Sequence, residues 1–212
     1  GSFYAGGIAF GTGFRMSPGA YQTVFNGGTN EGGFGGYDVA IFKFSPNGSN
    51  RIYATYLGGS GNEQPHSMIV DAQGNLIVAG RTNSGAFPNS LPGFTGQGYD
   101  IFVTKFNAAG TNLIGSVKMG GDNDDGVNIK PKYPTSLPSA TSLRRNYGDD
   151  ARSEVILDAA NNVYLVSCTQ STGFPLVNAL QSSFGGGTQD GVIMKFTPSI
   201  GSILFRTFFG GN

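Results

Sequence analysis

Tyr37 to Gly59 reads YDVAIFKFSPNGSNRIYATYLGG. The same plan returns as YDIFVTKFNAAGTNLIGSVKMGG from Tyr99 to Gly121, and as QDGVIMKFTPSIGSILFRTFFGG from Gln189 to Gly211. Each copy opens on an Asp (Asp38, Asp100, Asp190), carries a Lys-Phe pair five residues on (Lys43-Phe44, Lys105-Phe106, Lys195-Phe196) and closes on Gly-Gly. The Asp and the first closing Gly stand 20 residues apart in all three. Copies in fixed register are the mark of a repeat architecture. Val39 and Ile41 alternate with Ala40, Phe42 and Phe44, so both faces of an extended strand are apolar, as in strands covered on both sides. Ser45 to Ser49 (SPNGS) is a hairpin turn with Gly48 placed for positive φ.

Outward from this stretch, 37–98 reads as one complete unit. Its second strand is Ile52 to Leu57, its third Ser67 to Val70 and its fourth Leu76 to Ala79, with a turn at Asp71 to Asn75 and an exit at Phe87-Pro88. Four short antiparallel strands in about 60 residues make a β-propeller blade. Residues 99–188 repeat the plan with an insertion at about 122–152, after which Asp158 to Asn162 restores the turn. Asn161 there takes the place of Gly74, the exchange expected at a left-handed position. Residues 189–212 supply the first half of a blade. Residues 1–36 read as a second half plus linker, with Ser2–Gly6 set against Leu76–Gly80, and GGFGG (Gly32 to Gly36) and FGGG (Phe184 to Gly187) read as linkers between blades. The expectation is an all-β propeller segment of about three blades. Closed propellers use about four to eight, so the reading favours blades of a longer chain. Two copies closing one ring, or residues 1–6 completing the blade begun at Asp190, are the alternatives.

Composition narrows the function classes. Gly supplies 36 of 212 residues while aromatics hold at 12%, so the glycines read as turn residues between strands rather than as disorder. Thirteen basic and thirteen acidic side chains cancel, with no basic run of the kind nucleic acid or anionic lipid attracts. No run of about 18 apolar residues is present to form a membrane-spanning helix. The single cysteine, Cys168, allows no internal disulfide and leaves the compartment undecided.

Chemistry-bearing clusters are few. Asp122-Asn123-Asp124-Asp125-Gly126 gathers oxygen ligands in a glycine-bounded loop, with Asp122, Asp124 and Asp125 as candidate Ca²⁺ ligands and Asp149-Asp150 able to join from the far side of the insertion. It lacks the distal Glu of an EF-hand, and a solvated turn at the start of the insertion is the plainer reading. The Asp38/Lys43, Asp100/Lys105 and Asp190/Lys195 pairs fall on opposite strand faces, so each Asp is expected to satisfy backbone amides at a strand start and each Lys to mark a solvated strand end. His66 is the only histidine and has no nucleophile signature beside it. No catalytic residue or cofactor is assigned, and the chain is not expected to be an enzyme. Lys130, Lys132, Arg144, Arg145 and Arg152 make the insertion locally basic, which suits a recognition loop or an unpartnered exposed one.

Asp-x-x-x-x-Lys-Phe, Thr55-Tyr56-Leu57-Gly58-Gly59, Asp71-x-x-Gly74-Asn75 and Phe87-Pro88 resemble the SBBP repeat, named for a seven-bladed β-propeller. The insertion, and Ile200 where other copies have Gly48 and Gly110, depart from it. The resemblance implies a long, secreted or surface-attached bacterial protein of the kind carried by type IX secretion, with adhesive or gliding roles. It implies as partners other blades of the same chain, secretion or outer-membrane surface proteins, or surface glycans. A glycan-binding module or carbohydrate-active enzyme on the propeller is the competing reading, with Tyr21, Tyr37, Phe94 and Tyr99 as the loop aromatics that sugar stacking would need.

Overall fold

Alternating apolar runs cut by Gly, Asn and Asp turns leave the chain little choice but short strands. The computed structural model describes residues 1–31, 35–88, 96–129 and 152–211. Eleven strands are formed: β1 (Phe3–Ala9), β2 (Asp38–Phe44), β3 (Arg51–Leu57), β4 (Glu63–Val70), β5 (Leu76–Thr82), β6 (Asp100–Phe106), β7 (Leu113–Met119), β8 (Glu154–Leu157), β9 (Val163–Thr169), β10 (Asp190–Phe196) and β11 (Ile203–Phe209). They build three antiparallel sheets, β1-β2-β3, β4-β5-β6-β7 and β8-β9-β10-β11. No helix occurs among the described residues.

The sheets pack face to face in series. On β6, Ile101 and Val103 point into one cluster with Val163, Leu165, Val192 and Met194 of the third sheet. Phe102 and Phe106 point into the other, with Val39, Ile41 and Leu57 of the first. This is why β5 and β6 are buried at every position. Strands β4 and β8 touch each other, as do β1 and β4, whereas β3, β7 and β11 lie at the far edges. The β3 and β11 edges are covered by the long connections. Ser17 N donates to Ala54 O and Tyr56 N to Gln22 O on β3, while Val177 and Arg206 exchange two backbone bonds on β11. Covering an edge in this way removes a template for unwanted strand pairing.

The sequence repeat and the sheet are out of phase. The units at 37–98 and 99–188 do not coincide with sheets: the middle sheet takes its first two strands from one unit and its last two from the next. Periodicity alone does not tell which loop leaves a sheet. Pairing decides it, because β5 runs in full register with β6, from Leu76 opposite Phe106 to Thr82 opposite Asp100. The crossings between sheets are therefore at Gly58-Gly59 and Gly120-Gly121, and Phe184 to Gly187 lies within a sheet, not between two. The same pairing corrects the N-terminus. Phe3 lies opposite Phe44 and Gly7 opposite Ala40, so Phe3, not Ser2, stands at the place of Leu76. Strand β1 pairs with β2, and residues 1–6 do not complete the sheet that holds Asp190. The insertion also begins later than 122. Asp125 bridges Thr169 as Glu63 pairs with Thr82, and Glu154 rejoins opposite Val166. It thus interrupts the inner strand itself, leaving β8 half the length of β4.

A bulge falls at each Lys-Phe pair, between Lys43 and Phe44, Lys105 and Phe106, and Lys195 and Phe196. The residue it leaves unpaired, Ile52, Ile114 or Leu204, is turned to solvent. Gly48, Gly74, Gly110 and Asn161 all adopt positive φ, as their turns require. Ile200 does so too, at φ 58°, although branched side chains resist that region. Its reason lies across the interface. Gly110 sits under the Tyr53 ring of the first sheet, with room for no Cβ, whereas Ile200 abuts Gly115, which occupies the place of Tyr53 in the middle sheet. Large and small have exchanged sides.

Candidate functional site

Asp122, Asp124 and Asp125 do different things. Asp124 Oδ1 accepts from Tyr99 N at 2.9 Å. Asp125 accepts from Gly121 N at 2.6 Å, from Ser171 Oγ at 2.9 Å and from Thr169 Oγ1. Asp122 Oδ1 lies 3.4 Å from Gly173 N. The unit at 37–98 has the same knot: Asn62 Oδ1 accepts from Tyr37 N at 3.1 Å, and Glu63 accepts from Gly59 N at 3.2 Å, Thr82 Oγ1 at 2.5 Å and Ser84 Oγ. GGSGNE (58–63) and GGDNDD (120–125) are one motif, a carboxylate that ties the crossing loop to the end of the next strand pair. The acidic run is thus a repeat element, and among the described residues no three His, Cys, Asp or Glu side chains gather as a metal-binding group. Asp149 and Asp150 lie outside the described residues.

Beside each knot stands the strand-opening Asp. Asp38 Oδ2 accepts from Asn26 N at 2.9 Å and Asp190 Oδ2 from Gly185 N at 2.5 Å, as expected, while Asp100 Oδ2 pairs with Lys118 Nζ at 2.9 Å. A Cβ on Gly58 would meet both the Asp38 and the Glu63 carboxylates. Burial, with Glu63 adding to it against the Asn26 amide, pushes the Asp38 carboxyl up to about 7, and burial does the same to Asp125. Such groups hold a proton in the folded chain that the unfolded chain releases near pH 4. Their stabilisation is full below that pH and is lost as pH rises through about 7. Urea melts of Asp38→Asn and of the parent chain at pH 5 and pH 8 test this. The variant is expected to gain stability relative to the parent on going to pH 8, and parallel pH dependence of the two would contradict the assignment.

The lysines depart from expectation. Lys105 is buried, pairs with Asp71 Oδ2 at 2.8 Å and donates to Pro198 O of the next sheet at 2.7 Å. Lys43 Nζ likewise reaches Ala108 O across the preceding interface at 2.8 Å. Apolar cover on both faces leaves Lys105 no route to solvent, and Lys43 is half-buried, so each ammonium finds a carbonyl of the neighbouring hairpin instead.

The most concentrated polar cluster lies at the crossing-loop end of the first two sheets. The Arg81 guanidinium stacks on the Tyr99 ring at 4.0 Å, donates to Tyr37 Oη at 3.3 Å and to Gln64 Oε1 at 3.2 Å. Both phenols donate to Glu31 Oε2 at 2.6 Å. Burial raises the tyrosine pKa values and lowers that of His66 to about 3, with Arg81 adding to the latter. The faces of Tyr37 and Tyr99 are occupied, by Phe10 edge-on and by Arg81, and Tyr21 packs edge-on against Phe106. These three tyrosines do not present the open platforms that sugar stacking needs; Phe94 lies outside the described residues. Cys168 sits half-buried on β9 at the place of Arg81.

One recurring device escaped the sequence reading. Gln22 and Gln181 each clasp an outer strand through Thr55 or Thr207 and accept from Gly58 N or Gly210 N. Gly19-Ala20-x-Gln22 against Asn178-Ala179-x-Gln181 is its signature.

No curated protein sequence matches the chain. The family model SBBP, described as a beta-propeller repeat, matches residues 52–88, which run from β3 across the first sheet crossing to the Phe87-Pro88 exit. Residues 52–88 are thus similar to a β-propeller repeat of this family.

Proposed function

We propose that this chain is a non-enzymatic structural and adhesive β-propeller module of a large secreted or surface-displayed bacterial protein, exported by a type IX-like route. The observation that carries the reading is the repetition of its polar chemistry. Asn62, Glu63, Thr82 and Ser84 recur as Asp124, Asp125, Thr169 and Ser171 in the same bonds, so these groups are committed to joining sheets. The feature that does not recur is the basic insertion after Gly126, and insertions in repeat arrays commonly serve recognition. Surface labelling of intact bacteria that produce the natural protein, with attachment assays of the purified chain and of one lacking 130–151, tests this. Surface exposure and loss of attachment in the shortened chain are expected. An intracellular location, or turnover of a glycan substrate, would overturn it.

A further inference from the structure

We infer that the outer face of the third sheet is a docking clamp for the Ser45–Asn50 hairpin turn of a second copy of this chain. The clamp is defined where it is filled. In the first sheet Tyr4, Lys43 and Tyr53 hold the middle sheet: Lys43 Nζ binds Ala108 O at 2.8 Å, Tyr4 Oη donates to Gly74 O at 3.0 Å, and the Tyr53 ring covers Gly110. Strand pairing gives the third sheet the same trio as Tyr164, Lys195 and Phe205. The aromatic pair is edge-on at 6.4 Å, as Tyr4 and Tyr53 are, and Lys195 Nζ lies 4.6 Å from the Tyr164 ring. Among the described residues no hairpin lies over it. The Lys195 side chain is 22% exposed against 5% for Lys105 in the filled middle interface, and Val166 and Ile156 beside it face water.

The pairing of large and small residues selects the occupant. A clamp with an aromatic ring takes a turn with glycine, as Tyr53 takes Gly110. A clamp with glycine takes Ile200, as Gly115 does. Phe205 therefore demands a glycine turn, and the chain carries one on its opposite end: Ser45-Pro46-Asn47-Gly48, with Gly48 at φ 71° and Pro46 O at the place of the carbonyls that lysines bind elsewhere. That turn is exposed. The first sheet's own outer face is apolar as well, with Phe3 47% exposed and a hollow of about 450 Å³ lined by Ala5, Gly7, Phe14 and Phe42. Opposite ends of one chain thus match, which is the requirement for head-to-tail association. Two copies bring six sheets together, within the range of about four to eight blades that closed propellers use. The inference does not rest on the adhesive reading.

Light scattering of the 212-residue chain over a concentration series is the test. Twice the monomer mass of 22.0 kDa is expected. Gly48→Ile and Phe205→Gly should each weaken association at least tenfold. Their combination recreates the Ile200–Gly115 match and should restore it to within about threefold of the parent. Circular dichroism establishes that each variant is folded; should Gly48→Ile not fold, Phe205→Ala reports on the clamp alone. A parent chain that stays monomeric, or association indifferent to these substitutions, overturns the inference.

Discussion

Replacing Gly120 by alanine is expected to lower stability by about 3–5 kcal/mol, the range for breaking a buried ion pair by leaving one charge without its partner. A methyl group there would overlap Asp100 Oδ1 and crowd Asp125 Oδ2 at 2.9 Å. Asp100 has little freedom to yield, because its other oxygen is held by Lys118, which also donates to Ser84 O at 2.9 Å. Rotating the carboxylate away would leave Lys118 buried and unpaired. Gly85→Ala is the matched control. Its Cβ would meet nothing within 4 Å, and its melting curve should fall within about 0.5 kcal/mol of the parent. Urea denaturation of both variants decides the matter, and equal midpoints would refute the assigned role of the glycine.

Lys105→Ala is expected to cost a similar amount, about 3–5 kcal/mol. One ammonium serves two sheets, neutralising Asp71 in its own and capping Pro198 O in the next. Asp71 also organises its hairpin, accepting from Gln73 N at 3.0 Å and Asn75 N at 2.9 Å. Removing the lysine leaves that carboxylate buried and uncompensated. Asp71→Asn should therefore recover part of the loss in the Lys105→Ala background, the non-additivity that marks a direct pair. The corresponding Lys195→Ala should cost well under half as much, because the Lys195–Asp158 pair at 3.3 Å is partly solvated. Additive losses in the Asp71 and Lys105 double variant would count against a direct pair.

Strand identity was legible in the sequence because it depends on local pattern. The alternation around Val39 to Phe44, the turns at Gly48 and Gly74, and the left-handed Asn161 all sit where the chain predicts them. What resisted prediction depends on partners far apart in the chain. The phase of the sheets rests on Thr82 meeting Asp100 rather than on any property of either residue. Lys105 looks like a solvated strand end until Pro198, 93 residues on, supplies its acceptor. The Asp122–Asp125 run reads as a cation loop by composition. Only its alignment with GGSGNE exposes Asp124 and Asp125 as hydrogen-bond acceptors for Tyr99, Gly121, Thr169 and Ser171. The departure at Ile200 becomes intelligible once Gly115 is seen opposite it.

The half-unit offset between repeat and sheet bears on how such a chain can lengthen. A stretch that lends its ends to two neighbouring sheets can be copied in tandem from any starting point within it. Each copy then adds one whole sheet, since the split strands at its borders find complements in the flanking copies. Duplication need not respect the borders of a folded unit to leave every strand paired. Gene-level growth of the array is thereby uncoupled from where the recombination breakpoints fall.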